Sequence, residues 1–275
     1  MRISVITPSL NSKSCLKRAI ESVLLQAYEN FEHVVVDGGS TDGTLELLQQ
    51  YPHLKWISEP DRGQSDAMNK GVALANGDII VMLNCDDYFA PAAFLSVTPL
   101  FEQGAKFVVG NVEVKSYRLG YRFINRARVG MEHMMRHWLR DAYCYNPVGY
   151  FYTREVQAAC PFNIDNKNTM DLEFLLCAGS RFPMEKIDRL LGYYDEGATS
   201  KTTLSQGRSN YWSAKNFSFV EQHIGSLPEF DQARFRAERQ GGYARLERYW
   251  RRMERIMRIR HTIASIFKRS AITKI

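Results

Sequence analysis

The sequence predicts an α/β fold with a mixed, mainly parallel sheet flanked by helices. Over residues 1–90, short apolar runs alternate with segments that have apolar residues at helical spacing. This alternation is typical of parallel strands joined by helical crossovers. The run from Ile79 to Leu83 is apolar without interruption, as expected for a strand covered on both faces. The length of 275 residues fits one large domain, or a domain with a terminal extension.

The predicted elements of this region follow one another as strand and helix. Strands are predicted over 3–7, 31–37, 54–60 and 78–84, and helices over 15–27, 44–51 and 65–77. Ser12 or Ser14 is a candidate cap for the first helix, and Ser65 for the third. Pro52 should end the second helix, and Gly77 the third.

Composition and charge narrow the class of protein. Hydrophobic residues make up 45% of the chain and charged residues 24%, which is ordinary for a soluble domain, and no apolar run approaches the ~20 residues that cross a bilayer. Polar residues follow a short apolar run at the N-terminus, so we expect no secretory signal. Five scattered cysteines without a CxxC pattern predict reduced thiols in a cytoplasmic protein. The net charge of +6 suggests an anionic partner.

Carboxylates follow three of the four predicted strands. The strand ends carry Asp37 and Asp42, then Asp61 and Asp66, then Asp86 and Asp87. Ligands of open α/β sheets bind beyond the carboxyl ends of the strands, yet the chain has neither GxGxxG nor GxxxxGK[ST]. Carboxylates gathered at one edge would repel one another unless they bound a cation or hydrogen-bond donors.

Such a set of carboxylates suits a nucleotide. One carboxylate can accept hydrogen bonds from a base N–H or from ribose hydroxyls, and another can bind a divalent cation that holds a diphosphate. Gly39, with Gly38 and Gly43, lets the backbone approach a flat base. Two simpler interpretations stay open here, namely DGGSTDGT as a tight loop and CDD as a solvated strand end.

Four motifs in this order carry a resemblance: VITPSLN, VVVDGGSTDGT, DRGQSDAMNKG and IIVMLNCDDYF. They resemble the N-terminal half of the family 2 inverting glycosyltransferases, which have the Rossmann-like GT-A fold and use sugar nucleotides. The resemblance is dense over residues 1–90 and looser afterwards. It implies a glycosyltransferase domain over 1–205, with a nucleotide-binding half (1–90) and an acceptor-side half (91–205), followed by a basic helical extension over 206–275.

The resemblance also implies roles for individual residues. Pro8 and Asn11 would shape the loop beside the nucleotide, and Asp37 would accept the base N–H. Asp66 would face the base or ribose. Asn69 and Lys70 lie one helical turn further on.

Asp86 and Asp87 occupy the position of the family's DxD-type motif. The first acid there usually faces ribose or sugar, and the second faces the metal and diphosphate. The chain departs from the pattern with NCDD, so which acid binds the Mn²⁺ or Mg²⁺ cofactor stays open.

An inverting transfer also needs a base on the acceptor side. NTMDLEFLLCAG places Asp171 at the start of an apolar helical run, with Thr169 as a candidate cap, and a matching acidic pair in the family supplies the base. We therefore predict proton transfer to Asp171. The alternatives are an acid that merely decorates a helix N-terminus, and Asp165 as a competing base.

Three other features have simpler interpretations. His133 and His137 are spaced as on one helix turn without an HExxH pattern, which favours a half-exposed helix face. The aromatic run over 143–153 fits either core or acceptor stacking. Residues 196–203 fit a mobile loop, either a plain connector or one that closes over the diphosphate.

The basic residues concentrate over 234–275, with apolar residues between them at helical spacing. Such a segment could contact a membrane surface or lipid-linked acceptor, pack on the domain, or form a homo-oligomer. Nucleic-acid binding is a less favoured alternative, because the chain has no recognisable nucleic-acid module.

Together these observations predict a metal-dependent inverting glycosyltransferase. Its donor would be a nucleoside-diphosphate sugar, with UDP as the commoner family choice, and its acceptor a hydroxyl of a polysaccharide or lipid-linked saccharide. It would be cytoplasmic or peripheral to the inner face of the membrane. A catalytically silent sugar-nucleotide-binding relative is the alternative that remains beside nucleic-acid binding. A nucleotidylyltransferase is disfavoured, because TPSLNSKS after the first strand lacks the glycine-rich basic loop that holds a triphosphate.

Overall fold

One twisted sheet organises the part of the chain that the computed structural model describes, namely residues 1–116, 121–139, 141–196, 214–226, 232–233, 235–245 and 248. Its strands are β1 (Ile3–Ser9), β2 (Phe31–Asp37), β3 (Leu54–Ser58), β4 (Ile79–Met82), β5 (Tyr88–Phe89), β6 (Phe107–Ser116), β7 (Tyr121–Asn125), β8 (Tyr150–Thr153) and β9 (Met184–Glu196).

The helices connect and flank these strands. They are α1 (Lys13–Leu24), α2 (Thr44–Leu48), α3 (Gln64–Leu74), α4 (Ala93–Glu102), α5 (Met131–Met135), α6 (Arg154–Ala159) and α7 (Met170–Gly179). Short 3-10 segments cover Pro147–Gly149 and Ala214–Ser226, and residues 235–245 form a further helix, α8.

The four strands and three helices predicted over the first 90 residues are present, with different ends. α2 ends at Leu48, before the predicted stop at Pro52. α3 begins after Gly63, which places Ser65 inside the helix, and it ends at Leu74 because the backbone is already extended at Ala75. The predicted stop at Gly77 is therefore wrong, since the chain has left the helix before reaching it.

The direction of the strands decides which loops share an edge. β1 to β4 are parallel in the order β3-β2-β1-β4. β8 is antiparallel to β4, β6 is antiparallel to β8, and β9 is parallel to β6. Two reversals restore the direction, so β9 ends at the same edge of the sheet as β1 to β4. We call this edge the C-terminal edge.

Helices cover both faces of the sheet. Leu16 and Ile20 of α1 pack with Val35 on one face. On the other face, α3 approaches β1 so closely that a Cβ at Gly71 would lie 2.3 Å from Cγ2 of Ile6, which only glycine avoids.

Cys160 and Cys177 form a disulfide, with Cα atoms 5.9 Å apart. The prediction that all five cysteines are reduced is wrong for this pair, because the end of α6 packs beside α7 and brings the two side chains together. Cys15, Cys85 and Cys144 are free thiols. Cysteine usage therefore gives no support to a reducing compartment.

The start of the C-terminal extension packs on the domain. Phe235 is fully buried beside Trp138, with ring centroids 5.6 Å apart, and Glu238 pairs with Arg136 at 3.1 Å. This supports the packing interpretation for α8. Residues 197–213 and 249–275, which include most of the predicted loop and of the basic segment, lie outside the described residues. No helix within the described ranges is long and apolar enough to cross a bilayer.

Candidate functional site

Loops from the first four strands meet at the C-terminal edge. Gly38 N donates to Ser9 O at 2.8 Å and Glu59 N donates to Asp37 O at 3.0 Å, which joins the loops after β1, β2 and β3. Gln64 Nε2 donates to Asn84 Oδ1 at 2.7 Å and joins the loops after β3 and β4. The acids that follow β2, β3 and β4 therefore belong to one continuous rim.

The loop after β1 is tied to the loop after β2. Pro8 lies in β1 opposite Val36. Asn11 has a φ of 49°, its N–H donates to Ser40 Oγ at 2.7 Å, and its Oδ1 accepts from Thr41 N at 3.0 Å. Gly39 has a φ of +89°, a left-handed conformation in which glycine is favoured. Asn11 thus shapes the loop, whereas its contact with a nucleotide stays a prediction.

Asp37 is fully buried and already supplied with donors. Its Oδ2 accepts from Gly39 N at 3.0 Å, Ser40 N at 2.8 Å and Ser58 Oγ at 2.8 Å, and its Oδ1 accepts from Ser40 Oγ. This carboxylate fixes the turn after β2. Its predicted contact with a base N–H stays a prediction, and only Oδ1 retains acceptor capacity for one.

The residues after β3 make local contacts. Asp66 accepts from Arg62 N at 3.0 Å, and that bond, with the Arg62 side chain and the Lys70 charge, lowers the pKa of Asp66. Lys70 pairs with Glu59 at 2.7 Å. The Asn69 amide makes two bonds with the backbone of Phe162, at 2.8 and 3.1 Å. Asn69 therefore links the two halves of the domain, and its predicted contact with the nucleotide stays a prediction.

The two adjacent acids after β4 have different surroundings. Asp87 is fully buried, and its oxygens accept from Asn84 Nδ2 at 3.0 Å, Asn146 Nδ2 at 2.8 Å and Asp195 N at 3.3 Å. Asp86 is half-buried, and no side chain in the described part of the chain is seen to donate to its carboxylate.

The charges of this pair follow from burial and proximity. Burial raises the pKa of Asp87 well above its usual value, and the Asp86 charge adds to this effect. Burial also raises the pKa of Asp86, with Asp195 adding to the shift and Arg18 opposing it. A cation placed at Asp86 would relieve this repulsion.

The donors around each acid bear on which of the two could bind a divalent cation. The Asp86 carboxylate accepts from its own backbone N–H but from no described side chain, so its oxygens at the rim suit Mn²⁺ or Mg²⁺. The Asp87 oxygens are held by three donors inside the protein, so Asp87 fits a role in positioning the loop. The described residues contain no group of three or more His, Cys, Asp or Glu side chains arranged for a metal.

Arg18 and Asp195 are site residues that the sequence analysis missed. Arg18 of α1 forms an ion pair with Asp195 Oδ2, and its second nitrogen donates to Asp86 O at 2.8 Å. Asp195 lies near the end of β9, at the C-terminal edge. The sequence does carry a signal for Asp195. LLGYYDE is an apolar strand followed by acids, the same pattern that predicts the acidic strand ends of residues 1–90.

Asp171 lies in the first turn of α7 and is half-buried. Tyr150 Oη donates to Asp171 Oδ1 at 3.4 Å. Because β8 starts with Tyr150 and runs antiparallel to β4, with Ile80 opposite Tyr152, Tyr150 lies beside the C-terminal end of β4. The bond therefore ties Asp171 to the residue of β8 that lies beside the end of β4, whereas Asp165 is exposed.

The structure bears on one open alternative and corrects one prediction. Tyr150, Phe151 and Tyr152 are fully buried, which supports the core interpretation for these three members of the aromatic run. His137 lies beyond the end of α5 and is buried because Tyr243 of α8 covers it, at 3.2 Å from Oη to Nε2. Burial lowers the pKa of His137 to about 3.

Two solved structures share this architecture. TarS of S. aureus, in complex with UDP-GlcNAc, matches with a TM-score of 0.69 at 18% identity over 90% of this chain and 74% of that chain. The mannosyltransferase PcManGT from Pyrobaculum calidifontis, in complex with GDP-Man and Mn²⁺, matches with a TM-score of 0.56 at 18% identity over 86% of this chain and 69% of that one. These likenesses confirm the predicted GT-A fold.

Sequence comparison identifies relatives that match about a third of the chain. The putative teichuronic acid biosynthesis glycosyltransferase TuaG of Bacillus subtilis is 37% identical over 91 residues, which are 31% of this chain and 36% of TuaG. The chain spans between 33% and 47% of the length of such curated relatives. A family model for glycosyl transferase family 2 matches residues 4–157. Because this match covers more than half of the 275 residues, the chain belongs to glycosyl transferase family 2.

Proposed function

We propose that this protein is a metal-dependent inverting glycosyltransferase that uses a nucleoside-diphosphate sugar. The observation that carries the proposal is the half-buried Asp86 carboxylate, to which no described side chain donates. Asp171 would share its edge of the sheet, since it is hydrogen-bonded to Tyr150 of the strand next to β4. A cation site and a proton acceptor on one rim are the two groups that a single displacement at an anomeric carbon requires.

The loops after β1 to β3 would hold the nucleoside. Gly39 and the loop shaped by Asn11 would let the backbone approach the base. Asp66, which pairs with Arg62 and Lys70, would face the base or the ribose. Asp37 contributes chiefly by fixing this loop. TarS has been solved with UDP-GlcNAc and PcManGT with GDP-Man, so UDP and GDP sugars are the first donors to test.

Asp86 would hold the cation, and Asp87 would position the loop that presents it. When bound there, a divalent cation offsets the charge of the departing diphosphate. The solved complex of PcManGT contains Mn²⁺, which supports Mn²⁺ as the first metal to test.

Asp171 would accept the proton of the acceptor hydroxyl as that oxygen attacks the anomeric carbon and the nucleoside diphosphate leaves. The N-terminus of α7 favours a negative charge by roughly 0.3–1 kcal/mol. The bond from Tyr150 Oη fixes the direction of the carboxylate, so the base is held before an acceptor arrives.

The acceptor is proposed as a polysaccharide or lipid-linked saccharide, since TuaG is named for teichuronic acid biosynthesis. A cytoplasmic location, with contact to the inner membrane face through residues 234–275, remains part of this proposal, as does a homo-oligomer. A catalytically silent sugar-nucleotide-binding protein is the second candidate.

Two measurements test the proposal. The first is a thermal-shift screen of UDP, GDP, UDP-GlcNAc and GDP-mannose, each with and without Mn²⁺, because a ligand that binds the folded state raises its apparent stability. If no nucleotide raised the melting temperature of the full chain, the proposed function would be refuted. The second is release of nucleoside diphosphate from the donor that binds.

The variant Asp171→Asn separates the enzyme from a silent relative. We expect its turnover to fall by about 10²–10⁴-fold, with donor affinity unchanged, because the amide cannot accept the proton. Asp165→Asn is the matched control and should keep wild-type turnover. Turnover of Asp171→Asn within tenfold of wild type would overturn the base assignment, and wild-type binding without any turnover would favour the silent relative.

A further inference from the structure

We propose that Asp195 supplies a second carboxylate to a divalent-cation site that it forms with Asp86. The inference deepens the proposed function and rests on it for the identity of the bound diphosphate. The Asp195 carboxylate comes from β9, more than 100 residues after Asp86 in the chain, and no motif in the first half indicates it.

The first observation is an unsatisfied oxygen. Asp195 is 4% exposed, and its Oδ1 is buried with no hydrogen-bond donor among the described residues. A buried carboxylate oxygen without a donor is unfavourable, and such groups in a folded protein call for an unseen partner.

The second observation is that the chain holds Asp195 in place from two sides. Its N–H donates to Asp87 Oδ1 at 3.3 Å, and its Oδ2 pairs with Arg18. Arg18 also donates to Asp86 O at 2.8 Å and lies 4.2 Å from the centre of the Tyr88 ring. The orientation of Asp195 is therefore fixed beside Asp86, and Oδ1 is the oxygen left over.

The third observation is the local charge. Asp86, Asp87 and Asp195 are close together, and Arg18, whose side chain is 44% exposed, is paired with Asp195. Lys115 is a second positive charge near Asp195, and its Nζ donates to Tyr88 Oη at 2.5 Å. Two cationic side chains thus stand beside three carboxyl groups, so this part of the rim favours a further cation.

The composition of the site suits Mg²⁺ or Mn²⁺ shared with a diphosphate. Magnesium is commonly bound by one or two carboxylates, with water and substrate phosphates filling the other positions. Two carboxylates would leave such positions for the diphosphate oxygens. A cation held by both strand ends would also join the nucleotide-binding half to β9.

The test measures Mn²⁺ binding to the full chain by EPR and calorimetry, without donor and then with saturating UDP or GDP. We expect Asp195→Asn to weaken Mn²⁺ binding at least about tenfold. The matched control is Asp78→Asn, which removes one carboxylate at the opposite edge and should bind Mn²⁺ as the wild type does. Wild-type Mn²⁺ affinity in folded Asp195→Asn would overturn the inference.

A second variant covers the case in which Asp195→Asn fails to fold. Arg18→Gln removes a positive charge beside the site and releases Oδ2, so Mn²⁺ affinity should rise by about threefold at low ionic strength. Because Arg18 also lies beside Asp86, the double variant Arg18→Gln/Asp195→Asn decides the role of Asp195. If it kept the raised Mn²⁺ affinity of Arg18→Gln, Asp195 would serve only as a partner for Arg18, and that result would overturn the inference.

The two proposals fail in different ways. If Mn²⁺ binding depends on Asp195 but no nucleotide binds, the inference about the cation site is supported and the proposed glycosyltransferase function is refuted. If Mn²⁺ binding depends on the nucleotide but is unchanged in Asp195→Asn, the glycosyltransferase function is supported and Asp195 is not a ligand of the cation.

Discussion

Buried carboxylates at the two edges of the sheet show opposite electrostatics. At the edge where the parallel strands begin, Glu32 accepts from Ser4 Oγ at 2.6 Å and Gly77 N at 3.0 Å, and Asn76 N also donates to it. Burial alone would raise the pKa of Glu32, but these bonds and the Arg2 charge hold it below its usual value. At the C-terminal edge, burial and neighbouring acids raise the pKa of Asp86.

This difference in pKa assigns the two edges of the sheet to different tasks, namely stability at the edge of Glu32 and ligand binding at the edge of Asp86. The fold supplies Glu32 with donors, so its negative charge stabilises the native state. Among the described residues, no side chain donates to Asp86 and no group donates to Oδ1 of Asp195, so the native state carries an electrostatic cost that a bound cation can remove. Groups left unsatisfied in a folded protein are therefore the better guide to its chemistry.

The largest expected effect tests the C-terminal edge. Asp86→Ala should lower turnover on the order of 10³–10⁴-fold, because a bound cation contributes several kcal/mol to stabilising the leaving diphosphate. Its free energy of unfolding without ligand should not fall, since the variant removes a repelled charge. Turnover is measured as release of nucleoside diphosphate, and the free energy of unfolding is measured by urea titration.

Asp87→Asn is the matched neighbour of that variant. It should lose stability, because one oxygen that accepts from the donors around Asp87 becomes an N–H group facing them. If Asp86→Ala lost stability and Asp87→Asn did not, the assignment of the two acids would have to be exchanged.

The second effect tests the opposite edge. Glu32→Ala should lower the free energy of unfolding by about 2–4 kcal/mol, because it leaves buried donors of Ser4, Asn76 and Gly77 without an acceptor. Turnover per folded molecule should equal that of the wild type. A loss of turnover at full folding would contradict the separation of the two edges.

Sequence reasoning could predict the acidic rim but could not assign roles within it. Parallel strands bring their carboxyl ends together, so Asp37, Asp66 and Asp86 could be placed on one edge from order alone. Donors to Asp87 come from Asn146 and from Asp195, 59 and 108 residues away. Which acid stays unsatisfied is therefore set by tertiary contacts that have no local pattern.

The same limit explains where other predictions were left open or were wrong. The aromatic run near Tyr150 reads equally well as core or as binding surface, and only its place in β8, between β4 and β6, decides. His137 is buried by Tyr243, 106 residues later. Cys160 and Cys177 are separated by 17 residues, and no spacing rule pairs them.

The third effect is the pH dependence of Glu32. A carboxylate whose pKa is lowered in the folded state contributes stability above its unfolded pKa, near 4.3, and this contribution is lost as the pH falls through the folded pKa. The stability difference between wild type and Glu32→Gln should therefore be largest at neutral pH and shrink on acidification below about 4.3. Urea titrations from neutral to acid pH would measure it, and a difference that grows on acidification would show that the Glu32 pKa is raised instead.

The smallest expected effect tests which group stabilises the negative charge of Glu32, the Arg2 side chain or the backbone donors. Arg2 lies 3.5 Å from its carboxylate, but the Arg2 side chain is 44% exposed, so Arg2→Ala should cost only about 0.2–1 kcal/mol of unfolding free energy. The backbone bond from Arg2 N to Asp78 survives the change. The cost should also decline when the salt concentration is raised, because exposed charges are screened. If Arg2→Ala instead cost as much as Glu32→Ala at every salt concentration, the ion pair and not the backbone donors would stabilise this edge, and the contrast with Asp86 would come from one missing partner charge.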